Sequence, residues 1–266
     1  MGGFDNRTAI FLAAACSQSY AQFNDPNGEF AIPRPFEPVG EIRAKSLLGI
    51  RERFGFVLQS DTHAIVAFRG TSTTSDWVSD ALASQIKPKF VKNAGRAHRG
   101  FTELYSSARS DVLACLERVS SDKTLCVTGH SLGGALATLC ALDVSAGTKF
   151  RQPVVYTYGA PRVGDPAFVK AYESRVERSF RVHNAFDPVT YLPPLTLTLP
   201  KSGRTYDYKH ARRSERLVFH HGSVPGNHAI SGYYSELARR DPMFAERLSA
   251  ANPGFCPSMP EALQAE

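Results

Sequence analysis

Runs of apolar residues alternate along this chain with stretches in which apolar positions recur every three or four residues, so strands and helices are expected in turn. Residues 9–22 predict a helix, and 24–40, with Pro26, Pro33, Pro35 and Pro38, read as irregular loop. Arg53 to Gln59 predicts a strand that turns at Ser60-Asp61 into His63 to Phe68. Within it Ala64-Ile65-Val66-Ala67-Phe68 is apolar on both faces, as a central strand should be. Phe101, Leu104, Tyr105, Ala108, Val112, Cys115, Leu116 and Val119 follow at helical spacing. Strands are then expected at Leu125-Cys126-Val127, Val154 to Tyr158, Phe180 to His183 and Leu217-Val218-Phe219. Between and after them, helices are expected from Ser131 to about Ala146, from Pro166 to about Arg175, and from Asn227 or His228 to Arg239. This alternation implies an α/β fold with a mainly parallel central sheet and helices on both faces. In such sheets the site lies at the carboxyl ends of the strands.

Composition narrows this picture. The 266 residues, 42% hydrophobic and 21% charged, suit one α/β domain over 1–266. The net charge is +6, and its densest run, Lys209, Arg212, Arg213 and Arg216, reads as a solvated face. It lacks the interleaved aromatics of a single-strand binder, and no helix-turn-helix or zinc-finger pattern appears, so no nucleic-acid partner is expected. The five cysteines, Cys16, Cys115, Cys126, Cys140 and Cys256, form no CxxC pair and read as free thiols in apolar surroundings, with one disulfide as the alternative and no metal site. No apolar run reaches the ~20 residues of a membrane span. Ile10 to Ala15 lacks the basic leader of a signal peptide. Met1-Gly2 opens like a myristoylation signal, but Asn6 stands where Ser or Thr is needed.

The chemistry concentrates at Gly129-His130-Ser131-Leu132-Gly133, a G-x-S-x-G pattern with a strand before it and a helix after it. That context makes a sharp turn holding Ser131 in a strained conformation, its hydroxyl above the sheet at a helix amino end. A serine nucleophile needs a histidine to take its proton and a carboxylate to orient that histidine. Both follow it in the chain in this architecture. Asp187, after a strand and before Pro188, is the favoured acid; Asp165 before Pro166 reads as a helix cap. His183, His210, His220, His221 and His228 are the histidines available, and His228, after the loop Gly222 to Asn227, leads narrowly over His220 and His221. The oxyanion of the transition state needs donors. The Leu132 N–H should be one, and Thr71, in the turn Phe68-Arg69-Gly70-Thr71, is the candidate for the other.

Several segments together resemble the class 3 lipases, the fungal triacylglycerol lipase family with the α/β-hydrolase fold. "AFRGTSTTSDW", "HRGF", "VTGHSLGGALA", "YTYGAPRVGDPAF" and "RVHNAFDPVTYLPP" carry the likeness, which spans about Arg51 to Tyr234. It implies Ser131 as nucleophile, Asp187 as acid, His228 in "NHAISGYY" as base and Thr71 in the oxyanion hole. The chain departs from the family at Ala211-Arg212-Arg213, where a glycine-acid pair is usual.

The resemblance also implies a short helical lid from Thr73 to about Lys87, with Trp77 as its apolar anchor. Phe101, Val189, Leu192, Leu195 and Leu197 are candidate walls of an acyl groove, by proximity to the matched segments. The implied activity is hydrolysis of lipid esters at an oil–water interface through an acyl-enzyme, with no metal or cofactor. A feruloyl-type esterase and a phospholipase are the alternatives, and a non-catalytic scaffold disagrees with the intact set of residues. The family points to secretion, the absence of a visible signal peptide to the cytoplasm.

Overall fold

In the computed structural model the expected strands close into one sheet of seven. The structure describes residues 3–45, 49–71, 83–200, 202–211 and 214–258. In chain order these form α1 (Asn6–Asn24), β1 (Glu37–Lys45), β2 (Arg51–Gln59), β3 (His63–Phe68), β4 (Gln85–Ile86), β5 (Ala97–His98), α2 (Arg99–Glu117) and β6 (Thr124–His130). Then come α3 (Leu132–Gly147), β7 (Val154–Tyr158), α4 (Pro166–Glu173), β8 (Arg178–Asn184) and a 3-10 turn (Pro188–Tyr191). The chain continues with β9 (Thr196–Thr198), β10 (Thr205–Asp207), β11 (Ser214–Leu217), α5 (Val224–His228), α6 (Ile230–Ala238) and α7 (Pro242–Ala251).

The main sheet runs β1-β2-β3-β6-β7-β8-β11. Its first two pairings are antiparallel, made by short connections, and the rest are parallel, made by crossovers through α2, α3 and α4 and, for β8 to β11, through the 3-10 turn and the β9–β10 ribbon. Alternate residues of each strand face opposite sides. Val57, Val66, Val127 and Val155 enter one core with α2 and α3. Phe56, Ile65, Cys126 and Tyr156 enter the other with α1 and α6. Rings such as Phe54, Phe56, Phe68 and Phe101 are fully buried, each worth about 1.5–3 kcal/mol. The carboxyl ends of β3, β6, β7 and β8 therefore open at one rim, where the loops carrying Thr71, Ser131 and Asp187 emerge.

The helix cores were legible, but several elements differ from expectation, and the strand expected at Leu217-Val218-Phe219 runs instead over Ser214–Leu217. Residues 37–40, read as loop, begin β1. Only Ile42 and Ala44 of this edge strand are fully buried, so its alternation is faint, and Pro38 sits where an edge strand tolerates it. The helix expected from Asn227 or His228 to Arg239 is instead two helices, broken at Ala229, whose φ −61° and ψ 135° are extended. Gly222 to Asn227, expected as a flexible loop, holds most of the first of them, capped by the Ser223 side chain, which accepts from the Gly226 N–H. Trp77 and most of the expected lid lie outside the described residues. At its far end Gln85 and Ile86 pair as a two-residue ribbon with Ala97 and His98, not as helix. No described helix is long and apolar enough to cross a membrane.

All five cysteines are free, four of them buried. Asp165 is a helix cap, its carboxylate accepting from the Phe168 N–H at 2.6 Å.

Candidate active site

At the end of β6 the backbone bends into Ser131, φ +58° and ψ −129°, left-handed space that a side-chain-bearing residue occupies only under constraint. The bend is held by the Ser131 N–H donating to the Tyr158 carbonyl at 2.9 Å. It is possible only because strand and helix touch: a Cβ on Gly129 would lie 2.1 Å from the Gly133 carbonyl oxygen. A Cβ on Gly133 would lie 2.3 Å from the carbonyl oxygen of Phe68. Ser131 thus stands at the amino end of α3, where the Leu132 N–H belongs to the first turn and has no intrahelical acceptor.

The histidine arrives from α5. His228 Nε2 lies 2.8 Å from Ser131 Oγ, and its Nδ1 lies 2.7 Å from Asp187 Oδ2. The N–H on Nδ1 must donate to the carboxylate, which leaves Nε2 to accept the serine proton. Asp187 is fully buried just past β8 and takes two more donors. The Val189 N–H reaches Oδ1 at 3.0 Å and the Tyr233 hydroxyl reaches Oδ2 at 2.6 Å. A buried carboxylate is tolerated when its lone pairs are filled in this way. Burial, and then the neighbouring Asp187, push the Tyr233 hydroxyl well above the ordinary tyrosine range, so it remains a proton donor.

Three supports escaped the sequence reading: Tyr233, and the pair Tyr20 and His130. His130 Nε2 lies 2.6 Å from the His228 carbonyl oxygen, which can only accept, so Nε2 carries the proton. Its Nδ1 then accepts from the Tyr20 hydroxyl at 2.7 Å, and that oxygen accepts from the Gly70 N–H at 3.0 Å. One chain of hydrogen bonds thereby joins the Gly70–Thr71 turn to the backbone of His228. Burial, then the nearby His228, hold the His130 imidazole well below its ordinary pKa, so it stays neutral. The only sequence signal for these supports was their position, one residue before the serine for His130 and five after the histidine for Tyr233.

Asn184, fully buried at the end of β8, ties this loop cluster together. Its amide donates to the Asn227 carbonyl at 3.0 Å, and its side-chain oxygen accepts from the Phe219 N–H at 3.2 Å. The other histidines stand apart. His183 is in β8, and His210 donates to the Thr190 carbonyl at 2.6 Å. The His221 N–H donates to Asn227 Oδ1 at 2.7 Å, and the His220 ring lies edge-on to Phe186.

Thr71 is beside the serine: a Cβ on its neighbour Gly70 would lie 2.9 Å from Ser131 Cβ. Thr71 also lines a cavity of about 340 Å³ with Tyr20, His130, Val224, His228 and Ile230. Phe101 and Val189 are buried in the main core, Phe101 stacked on His98, and Leu192 packs against that core. Leu195 is exposed and Leu197 lies in β9.

The model of the class 3 lipase family matches residues 65–197, half of the chain. The chain belongs to the class 3 lipase family. It is 34% identical over 154 residues to a lipase of Rhizomucor miehei, covering 55% of this chain and 42% of that protein. It is 28% identical over 208 residues to the chloroplastic/mitochondrial phospholipase A1 EG1 of Oryza sativa subsp. indica, covering 66% of this chain and 48% of that one. The chain thus spans less than half the length of these curated relatives. Lipase II from Rhizopus niveus superposes with a TM-score of 0.56 at 26% identity, over 71% of this chain and 73% of its own. The fold is that of the α/β-hydrolases.

Proposed function

We propose that this chain is a serine carboxylic-ester hydrolase acting on lipid esters, of the triacylglycerol lipase type. The observation that carries the proposal is the unbroken line from Ser131 through His228 to Asp187, at 2.8 and 2.7 Å. Ser131 Oγ attacks the ester carbonyl carbon while His228 Nε2 takes its proton, and Asp187 stabilises the imidazolium. The tetrahedral oxyanion rests on the Leu132 N–H and on Thr71. As the intermediate collapses, His228 returns the proton to the departing alcohol. Water, activated by the same imidazole, then attacks the acyl-enzyme, releasing the fatty acid and restoring Ser131. Each step uses only side chains, backbone N–H groups and water. The apolar walls Val224 and Ile230 beside His228 favour an aliphatic ester, met at an oil–water interface.

The direct experiment compares wild type with Ser131→Ala on emulsified tributyrin and on nitrophenyl esters of increasing chain length. Activity in the wild type that vanishes in the variant supports the proposal. Full turnover by Ser131→Ala refutes it. Phospholipid is the second substrate class, favoured by the net charge of +6 and by the likeness to a phospholipase A1. Faster release of fatty acid from phosphatidylcholine vesicles than from tributyrin would select it.

A further inference from the structure

Beside the acid loop two half-buried arginines, Arg162 and Arg181, stand near one another, and among the described residues no carboxylate lines the cavity on which Arg181 opens. Arg181 of β8 faces Thr157 of β7 across the sheet and opens on a small cavity of about 20 Å³. Thr138, Thr157, Tyr172, Ser179, Lys209 and His210 are its other polar walls, and the remaining lining is apolar. The buried Nε of Arg181 has no hydrogen-bond partner, and neither has the buried Nε of neighbouring Arg162. The rest of the Arg162 side chain is used: its Nη1 donates to the carbonyls of Tyr191 and Pro193.

An unpaired cation out of water is costly, and the cost is removed by an anion of fitting size. The electrostatics agree with an uncompensated site. Burial, and then Arg162, press the Arg181 guanidinium down to about 10, with only tyrosines acting the other way. Burial, and then Arg181, press His210 down to about 3.

We propose that this cleft between β7, β8 and α4 binds one halide-sized monoanion, such as chloride, on the guanidinium of Arg181. The size follows from the room available, near that of a single water, which a phosphate or a lipid headgroup exceeds. The polar arms follow from the lining: Ser179 shares a hydrogen bond with Tyr172 at 2.8 Å, and Thr157 is the cross-strand partner of Arg181. The site is coupled to the acid loop. His210 holds the Thr190 carbonyl, the Arg162 N–H holds the Leu192 carbonyl at 2.7 Å, and the same strand that carries Arg181 leads to Asp187. Neutralising the cluster therefore stiffens residues 187–193.

The test does not depend on ester hydrolysis. Thermal unfolding is followed in sodium chloride and in sodium gluconate at equal ionic strength, and crystals soaked in sodium bromide are examined for anomalous scattering. The expected results are a Tm higher by about 3 °C in chloride and a bromide peak within hydrogen-bond reach of Arg181 and Thr157. The Tm difference should vanish in Arg181→Gln and persist in Lys149→Gln, a cation elsewhere on the surface. Should Arg181→Gln fail to fold, Thr157→Val supplies the same comparison, and the bromide map needs no variant. Equal Tm in the two salts with no bromide in the cleft would mean that water alone fills it, and the proposal falls.

Discussion

Tyr233 and His228 set their protons on the same oxygen of Asp187, at 2.6 and 2.7 Å. The carboxylate is thereby held against the imidazole from two consecutive helices, α5 and α6, joined at Ala229. Removing the phenol leaves Asp187 with one donor fewer in a fully buried place. Tyr233→Phe is expected to lower stability by about 1–3 kcal/mol and kcat by about tenfold, with KM little changed. Urea unfolding and steady-state kinetics on a nitrophenyl ester measure both. An unchanged kcat would show that His228 needs no second anchor on its acid.

Tyr20 is remote in sequence, yet it connects Gly70 to His130. Tyr20→Phe removes the hydroxyl that accepts from one and donates to the other. The Gly70–Thr71 turn and the His228 carbonyl then lose their common tether. A loss in kcat of about threefold to tenfold is expected, with about 1 kcal/mol of stability. A change confined to KM would assign Tyr20 to substrate contact instead.

The elbow tolerates no side chain at Gly129, because the atom it would meet, the Gly133 carbonyl oxygen, is backbone and cannot rotate away. Gly129→Ala is expected to cost about 3 kcal/mol or more and to abolish hydrolysis. Circular dichroism melting set beside activity checks this, and a stable, active variant would contradict the close strand–helix approach.

Histidines held neutral by burial, His183 among them, make stability fall in acid. His130 and His210 both have folded pKa values below the unfolded 6.5, His210 at about 3. Between these values the unfolded chain binds a proton that the folded chain does not, so stability rises with pH there. Their contribution is complete above pH 6.5 and is lost as pH falls toward the folded values, by about 1.4 kcal/mol per pH unit for each histidine. Urea midpoints from pH 7 to 4.5 should drop steadily, and less steeply in His210→Gln. Equal slopes would place a proton on folded His210.

What the sequence determined by itself was local. Continuous apolar runs, and apolar positions at helical spacing, placed β2, β3, β6 and β7 and the helices after them, because a strand buried on both faces or an amphipathic helix must write its burial into the chain. Glycines around one serine marked the elbow, since only a missing Cβ permits that contact. The choice among five histidines was not local. His220 and His221 follow the same strand and differ from His228 only in where the folded backbone carries them. It was the turn at Val224–His228 and its break at Ala229 that aimed one ring at Ser131. Likewise Tyr233, Tyr20 and His130 read as ordinary apolar or elbow positions until α1 and α6 packed on one face of the sheet. Hydrogen bonds between residues 41 to 110 positions apart are written in no short window, and the tertiary structure alone decides them.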